Sequence, residues 1–157
     1  MHNPITEDGG WADQWRPQFL SILRIVTAGL FLAHGTSKIL GFPASTASFP
    51  PPWTQFWMAG MLELVGGALL LLGLFSRPVA FVLAGEMAVA YFLVHAPDNF
   101  FPVLNGGEAA ILFCFVFLYI VFAGPGPWSL DALWHRHKVA EGPEGYYEGL
   151  HTRATGS

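Results

Sequence analysis

Residues 56–75 read FWMAGMLELVGGALLLLGLF, a run of about twenty positions in which only Glu63 can ionise. As an α-helix rising 1.5 Å per residue it would be about 30 Å long, the thickness of a bilayer's hydrocarbon core. It is apolar all round, so it is no surface helix of a soluble domain. Working outward, three more apolar segments appear: Phe19 to Leu40, Val79 to Ala96 and Gly107 to Ala123. The last two are shorter than the first two. Gly41 and Pro43 end the first segment, and Pro50-Pro51-Pro52 keeps the following loop out of a helix. Ser76-Arg77-Pro78 is a tight turn with proline near a helix start. Pro97 to Asn105 is a short loop with Asn105 as the expected N-cap of the fourth helix, and Gly124-Pro125-Gly126-Pro127 closes that helix. The expectation is an all-α, integral membrane, antiparallel four-helix bundle, because short links force neighbouring helices to run up and down.

Composition agrees. Charged residues make up 11% of the 157, against roughly a quarter in a soluble domain, and the mean hydropathy is +0.45. The net charge of −4 and the lack of a basic patch exclude nucleic acid as a partner. Cys114 is the only cysteine, so no intramolecular disulfide or C-x-x-C redox pair exists. The first apolar run is too long for a secretory h-region and follows an acidic stretch, so it reads as a retained anchor. Arg16, Arg77, Arg136, Lys138 and Arg153 all fall on one side if there are four spans, which places both termini in the cytoplasm. The expected organisation is a cytoplasmic arm at 1–17, a four-span domain at 18–124, and a polar, partly disordered cytoplasmic tail at 125–157. Trp11, Trp15, Trp53, Trp57 and Trp128 lie at segment ends, as interfacial anchors do.

Several residues are out of place in lipid. Arg24, His34, Lys38, Glu63, Glu86, His95 and Glu108 each sit in or beside a span. A charge near mid-bilayer costs on the order of 2.5–3.5 kcal/mol, so such residues face the bundle interior and take partners. Counting depth along the helices places Arg24 level with Glu86, which predicts a buried ion pair. The same count places His34, Lys38, Glu63, Asn105 and Glu108 in the outer half of the bundle. Thr27, His34 and Lys38 share one helical face. His95 falls about half a turn from Glu86 and is the weaker member of the group. Gly66, Gly67 and Gly73 are read as points of close helix packing. The site expectation is His34, Lys38, Glu63 and Glu108 as proton-exchanging or catalytic groups, with Asn105 beside them, holding a ligand such as a quinone headgroup. No metal is expected, since the E-x-x-H pairs of di-iron bundles are absent. A haem held by His34 and His95 stays open at this point.

These residues carry a resemblance. Leu23-Arg24-Ile25 followed by His34-Gly35-Thr36-Ser37-Lys38 resembles the first-helix pattern of the DoxX family, an arginine and then H-G-x-x-K. Glu63-Leu64-Val65-Gly66-Gly67 with Leu72-Gly73 resembles its second helix. Glu86-Met87 and Asn105-Gly106-Gly107-Glu108 resemble its third and fourth. The resemblance spans roughly residues 18 to 124. It implies a four-helix inner-membrane protein related to small subunits of a thiosulfate:quinone oxidoreductase and to proteins of methylamine-utilisation clusters. The function expected first is a membrane subunit of an oxidoreductase system that binds a quinone or couples a redox partner protein to the quinone pool. A non-enzymatic scaffold or assembly factor for a soluble partner is the alternative, docking through the Gly41–Gln55 loop and the tail. A small proton-coupled transporter is the third reading, and it would require an oligomer.

Overall fold

The computed structural model describes residues 10–43 and 50–140 of the chain. Helix α1 spans Trp11–Leu40, α2 Gln55–Leu72 and α3 Ser76–Ala90, which continues as a wider π-helical turn over Tyr91–His95. A single turn α4 at Pro102–Asn105 precedes α5 at Glu108–Ala123, and α6 covers Leu130–Ala140. All the regular elements among the described residues are helical. Trp11–Leu40, Gln55–Leu72 and Ser76–His95 are each long and apolar enough to cross a membrane. Helix α5 is equally apolar but has 16 residues. That is about 24 Å of rise, short of the ~30 Å hydrocarbon core. Val26, Leu30, Val65, Phe81, Phe92, Phe115 and Phe122 all point outward and exposed, so the surface around the helices is apolar. Large apolar residues on the outside of a bundle mark lipid as its solvent.

The core is small. Ala28, Phe31, Leu70, Ala80, Leu83, Ala84, Phe117 and Ile120 are buried, with Phe31 edge-on to both Phe113 and Phe117. Helix α1 packs along α2, and α3 along α5. Small residues permit the first of these contacts. A Cβ on Gly35 would overlap the backbone at Glu63 and Leu64, and one on Gly67 would lie 3.0 Å from the Leu32 Cα. Lipid gives helices little hydrophobic reason to associate, so close backbone approach supplies the attraction. A Cβ on Gly66 would meet the Leu83 side chain, so this glycine brings α2 close to α3. Gly73 has a different role. It ends α2 in the left-handed conformation (φ 70°), with its N–H returning to the Leu69 and Leu70 carbonyls.

Arg24 is where the helices are tied together, and it corrects the first expectation. Its side chain is fully buried. Nη1 donates to the carbonyls of Leu70 and Leu71 at 2.5 and 2.7 Å, Nε to Pro125 at 2.8 Å and Nη2 to Trp128 at 2.5 Å. Leu70 and Leu71 lie in the last turn of α2, where carbonyls run short of intrahelical partners and the Leu70 carbonyl has only the Gly73 N–H. The guanidinium therefore ends α2 and fixes the 125–128 turn in one step. The predicted Arg24–Glu86 ion pair does not form. The Arg24 donors go to carbonyl oxygens, and both Glu86 carboxylate oxygens are buried with no partner. The carboxylate whose field reaches Arg24 is Asp131. Asp131 accepts from the Phe75 and Ser76 N–H groups, both at 2.8 Å, and so caps α3. Arg77 serves α5 in the way Arg24 serves α2, donating through Nη1 to Val121 O and Phe122 O at 2.8 and 3.2 Å.

The predicted boundaries also move. Helix α1 begins at Trp11, inside the arm placed at 1–17, and runs through Pro17 without a break. The segment predicted as tail is ordered at its start. Trp128 N–H donates to Ser21 Oγ at 3.2 Å, and α6 follows directly. Residues 141–157 of that predicted tail lie outside the described residues. Asn105 does not cap α5. It ends α4, and its side chain bridges Asn99 O and Gly107 N–H at 2.8 Å each.

Arg24→Ala should lower the melting temperature in detergent more than any other single change to Ala in the bundle. It would leave the Leu71, Pro125 and Trp128 carbonyls unpaired, at about 1–3 kcal/mol for each one that stays dry. Arg24→Lys should recover only part of the loss, because an ammonium cannot reach four acceptors in a plane. Adding Glu86→Ala to Arg24→Ala should give the plain sum of the two losses. A double mutant more stable than Arg24→Ala alone would restore the ion pair.

Candidate functional site

A cleft of about 520 Å³ lies between α2 and α3. Its walls are apolar, formed among others by Phe56, Met58, Leu62, Val82, Val89 and Val94. These six are themselves exposed, so the cleft opens sideways toward the bilayer. Four ionisable side chains reach it: Lys38 from the end of α1, Glu63 from α2, and Glu86 and His95 from α3.

The chain reaches this arrangement through local geometry. Glu63 lies on the buried seam of α2 with Gly60, Gly66, Gly67 and Leu70, spaced three and four residues apart. Its carboxylate is 4% exposed, and its Oε1 accepts from Lys38 Nζ at 2.5 Å. Lys38 is half-buried, in the last turn of α1, where a cation also meets the helix's negative end. Glu63 Oε2 and both oxygens of Glu86 are buried and unpartnered. The charges of Glu63 and Lys38 both act on Glu86, so the three groups form one electrostatic unit. His95 Nδ1 lies 3.0 Å from the Asn105 carbonyl. A carbonyl only accepts, so Nδ1 carries a hydrogen, and Nε2 is the acceptor of a neutral ring.

His95 corrects a helical-phase argument. Nine residues of uninterrupted α-helix would set Glu86 and His95 on opposite faces. The turn at Tyr91–His95 is π-helical, closed by Ala96 N–H to Tyr91 O at 2.8 Å. The extra residue in that turn sets the helix back and returns His95 to the Glu86 side.

The structure unites only part of the predicted site. Lys38 and Glu63 meet as expected. Asn105 is nearby but engaged with its own loop and with His95. His34 is exposed on α1, its ring 6.1 Å from Phe113 of α5, and does not line the cleft. Glu108 is exposed at the first position of α5 and also lies outside it. Sequence reasoning had assigned Glu86 to Arg24 and so missed it as a site residue. The signal was available: an acid in a membrane span with no established partner is a site candidate by default.

A helical bundle with a lipid exterior defines an integral membrane protein. The chain belongs to the DoxX family, whose model matches residues 19–96. That stretch contains every residue lining the cleft and also Arg24. An uncharacterised protein of Haemophilus influenzae is 47% identical over 126 residues, covering 76% of this chain and 92% of that protein. The inner membrane protein YphA of Escherichia coli is 27% identical, covering 74% of this chain and 90% of that one. An uncharacterised membrane protein of Mycobacterium tuberculosis is 26% identical, covering 73% and 80%. No solved structure matches the chain.

The Lys38–Glu63 pair predicts an asymmetry. Lys38→Ala leaves a carboxylate alone in the interior, at about 3–5 kcal/mol. Glu63→Ala leaves a lysine that can turn its ammonium to water, at much smaller cost. In detergent melts the lysine change should be the worse of the two, and the double change should be milder than Lys38→Ala. Equal losses would mean that Glu63 does not depend on Lys38.

Proposed function

We propose that the α2–α3 cleft binds the headgroup of a membrane-dissolved quinone. On this reading the protein is the membrane subunit of an oxidoreductase system that links a redox partner to the quinone pool. The observation that carries this reading is the set of buried, unpartnered oxygens on Glu63 and Glu86 beside Lys38 in a cleft open to lipid. A hydrophobic ring ligand reaches such a cleft from the bilayer without passing through water. Its oxygens are acceptors in the oxidised state and donors in the reduced state. Lys38 offers ammonium hydrogens to an acceptor, and Glu63 Oε2, Glu86 and His95 Nε2 receive hydrogens from a donor. Reduction of a quinone consumes two electrons and two protons. The electrons come from the redox partner, and Glu86 and His95 are the groups placed to pass the protons. The apolar wall excludes water, which strengthens each of these polar contacts.

The same reading sets the topology. The protein is placed in the inner membrane with four spans, α5 crossing as the short fourth. Both termini are then cytoplasmic, with Arg16, Arg77 and Arg136 on that side. The cleft lies toward the outer leaflet, because Lys38 ends the outward-running α1. Reporter fusions after Pro52 should read outside and those at the C-terminus inside. An outside reading at the C-terminus would exclude α5 as a span.

Glu86→Gln keeps the shape and removes the group's capacity to exchange a proton. It should weaken binding of a short-chain quinone analogue to the purified protein at least tenfold, with an unchanged melting temperature. His34→Ala and Glu108→Gln should leave binding unaltered, since neither lines the cleft. Retained binding in Glu86→Gln, or loss in His34→Ala, would remove the cleft from the proposal.

A further inference from the structure

A second cavity, also of about 520 Å³, lies at the opposite end of the bundle between the start of α3, the 125–127 turn and α6. We infer that it holds the phosphate of an anionic phospholipid, with α6 lying in the membrane surface as an interfacial helix.

The position of α6 follows from its anchors. The α2 C-terminus, the α3 N-terminus and the α5 C-terminus meet here, because Arg24, Asp131 and Arg77 tie them to one another. Asp131 belongs to α6 itself, and its own N–H donates to Gly73 O at 2.9 Å. Helix α6 is therefore fixed at the level where the apolar spans end. There it exposes Leu130, Leu133 and Trp134, at spacings of three and four residues, and Trp134 stacks edge-on to exposed Phe75 at 6.4 Å. In water such a stripe would be a liability. At the boundary of headgroups and acyl chains it is the buried face of an amphipathic helix.

The charges supply the other half. Arg77 and His135 line the cavity, and exposed Arg136 anchors on Pro127 O at 3.3 Å just outside it. Arg77 engages the α5 carbonyls through Nη1, so Nε and Nη2 still have hydrogens to give. The Ser76 hydroxyl is fully buried in the cavity wall with no partner. Asp131 is the one acid in this wall, and two backbone N–H groups already occupy its oxygens. With Arg24 behind Asp131, cations outnumber anions around the cavity. A phosphate diester with acyl chains over Leu133 and Trp134 satisfies the cationic and apolar surfaces together.

The test uses the full-length protein in nanodiscs of phosphatidylcholine with or without phosphatidylglycerol, released into the gas phase for native mass spectrometry. Phosphatidylglycerol should remain bound in preference to phosphatidylcholine. Each cation removed should reduce that preference roughly fivefold. Arg77→Gln removes an α5 cap as well as a phosphate ligand, so the surface double change His135→Gln with Arg136→Gln is the companion variant. It should reduce the preference at least roughly fivefold while melting normally in phosphatidylcholine. Leu133→Ser should weaken retention of phosphatidylglycerol without affecting any response to inorganic phosphate. Stabilisation by inorganic phosphate alone, undiminished in Leu133→Ser and without lipid retention, would replace the lipid with a free anion and overturn the proposal. Equal retention of the two lipids by the unaltered protein, or a preference that the double change leaves undiminished, would overturn it as well.

Discussion

A guanidinium enclosed among apolar helices must find acceptors for its hydrogens, and Arg24 finds four carbonyl oxygens. The rest of the bundle is built around that requirement. Two acceptors are carbonyls at the end of α2, and two belong to the turn after α5, so one side chain on α1 fixes where two other helices stop. Asp131 supplies the compensating charge and also caps α3. The result is a polar end in which the termini of α2, α3 and α5 are tied to other helices.

Glycines bring α1 and α2 into close backbone contact, while α2 and α3 diverge beside Glu63 and Glu86. A single lysine stands against two glutamates there, so the cluster is not self-satisfied as the Arg24 network is. Structural polar groups in a membrane protein have their partners in the protein. Groups left without partners at a lipid-facing opening point to something that arrives from outside. The contrast between the two ends gives the cleft its functional standing, and the membership of the chain in the DoxX family is consistent with it.

Arg24 and Glu86 were legible as buried charges, and it was natural to pair them. The pairing failed because backbone carbonyls at helix ends are invisible in a list of side chains. Helical phase turns His95 away from Glu86 and toward the loop, where its Nδ1 does meet Asn105 O, while the π-turn at 91–95 lets the same ring line the cleft. His34 and Glu108 were grouped with the cleft on depth alone, and depth says nothing of which side of a helix faces a given neighbour.

The sequence by itself determined the solvent and the helices. Long apolar runs with few charges cannot be covered by water, and Gly and Pro mark where the runs end, so the spans and loops follow from local chemistry. It also determined which residues have to be explained, since ionisable groups in such runs stand out by type. Only the tertiary structure decided their partners. Each guanidinium or carboxylate had several candidates within reach along the chain. The choice among them depended on helix ends, a widened turn and glycine contacts that exist only once the helices have packed.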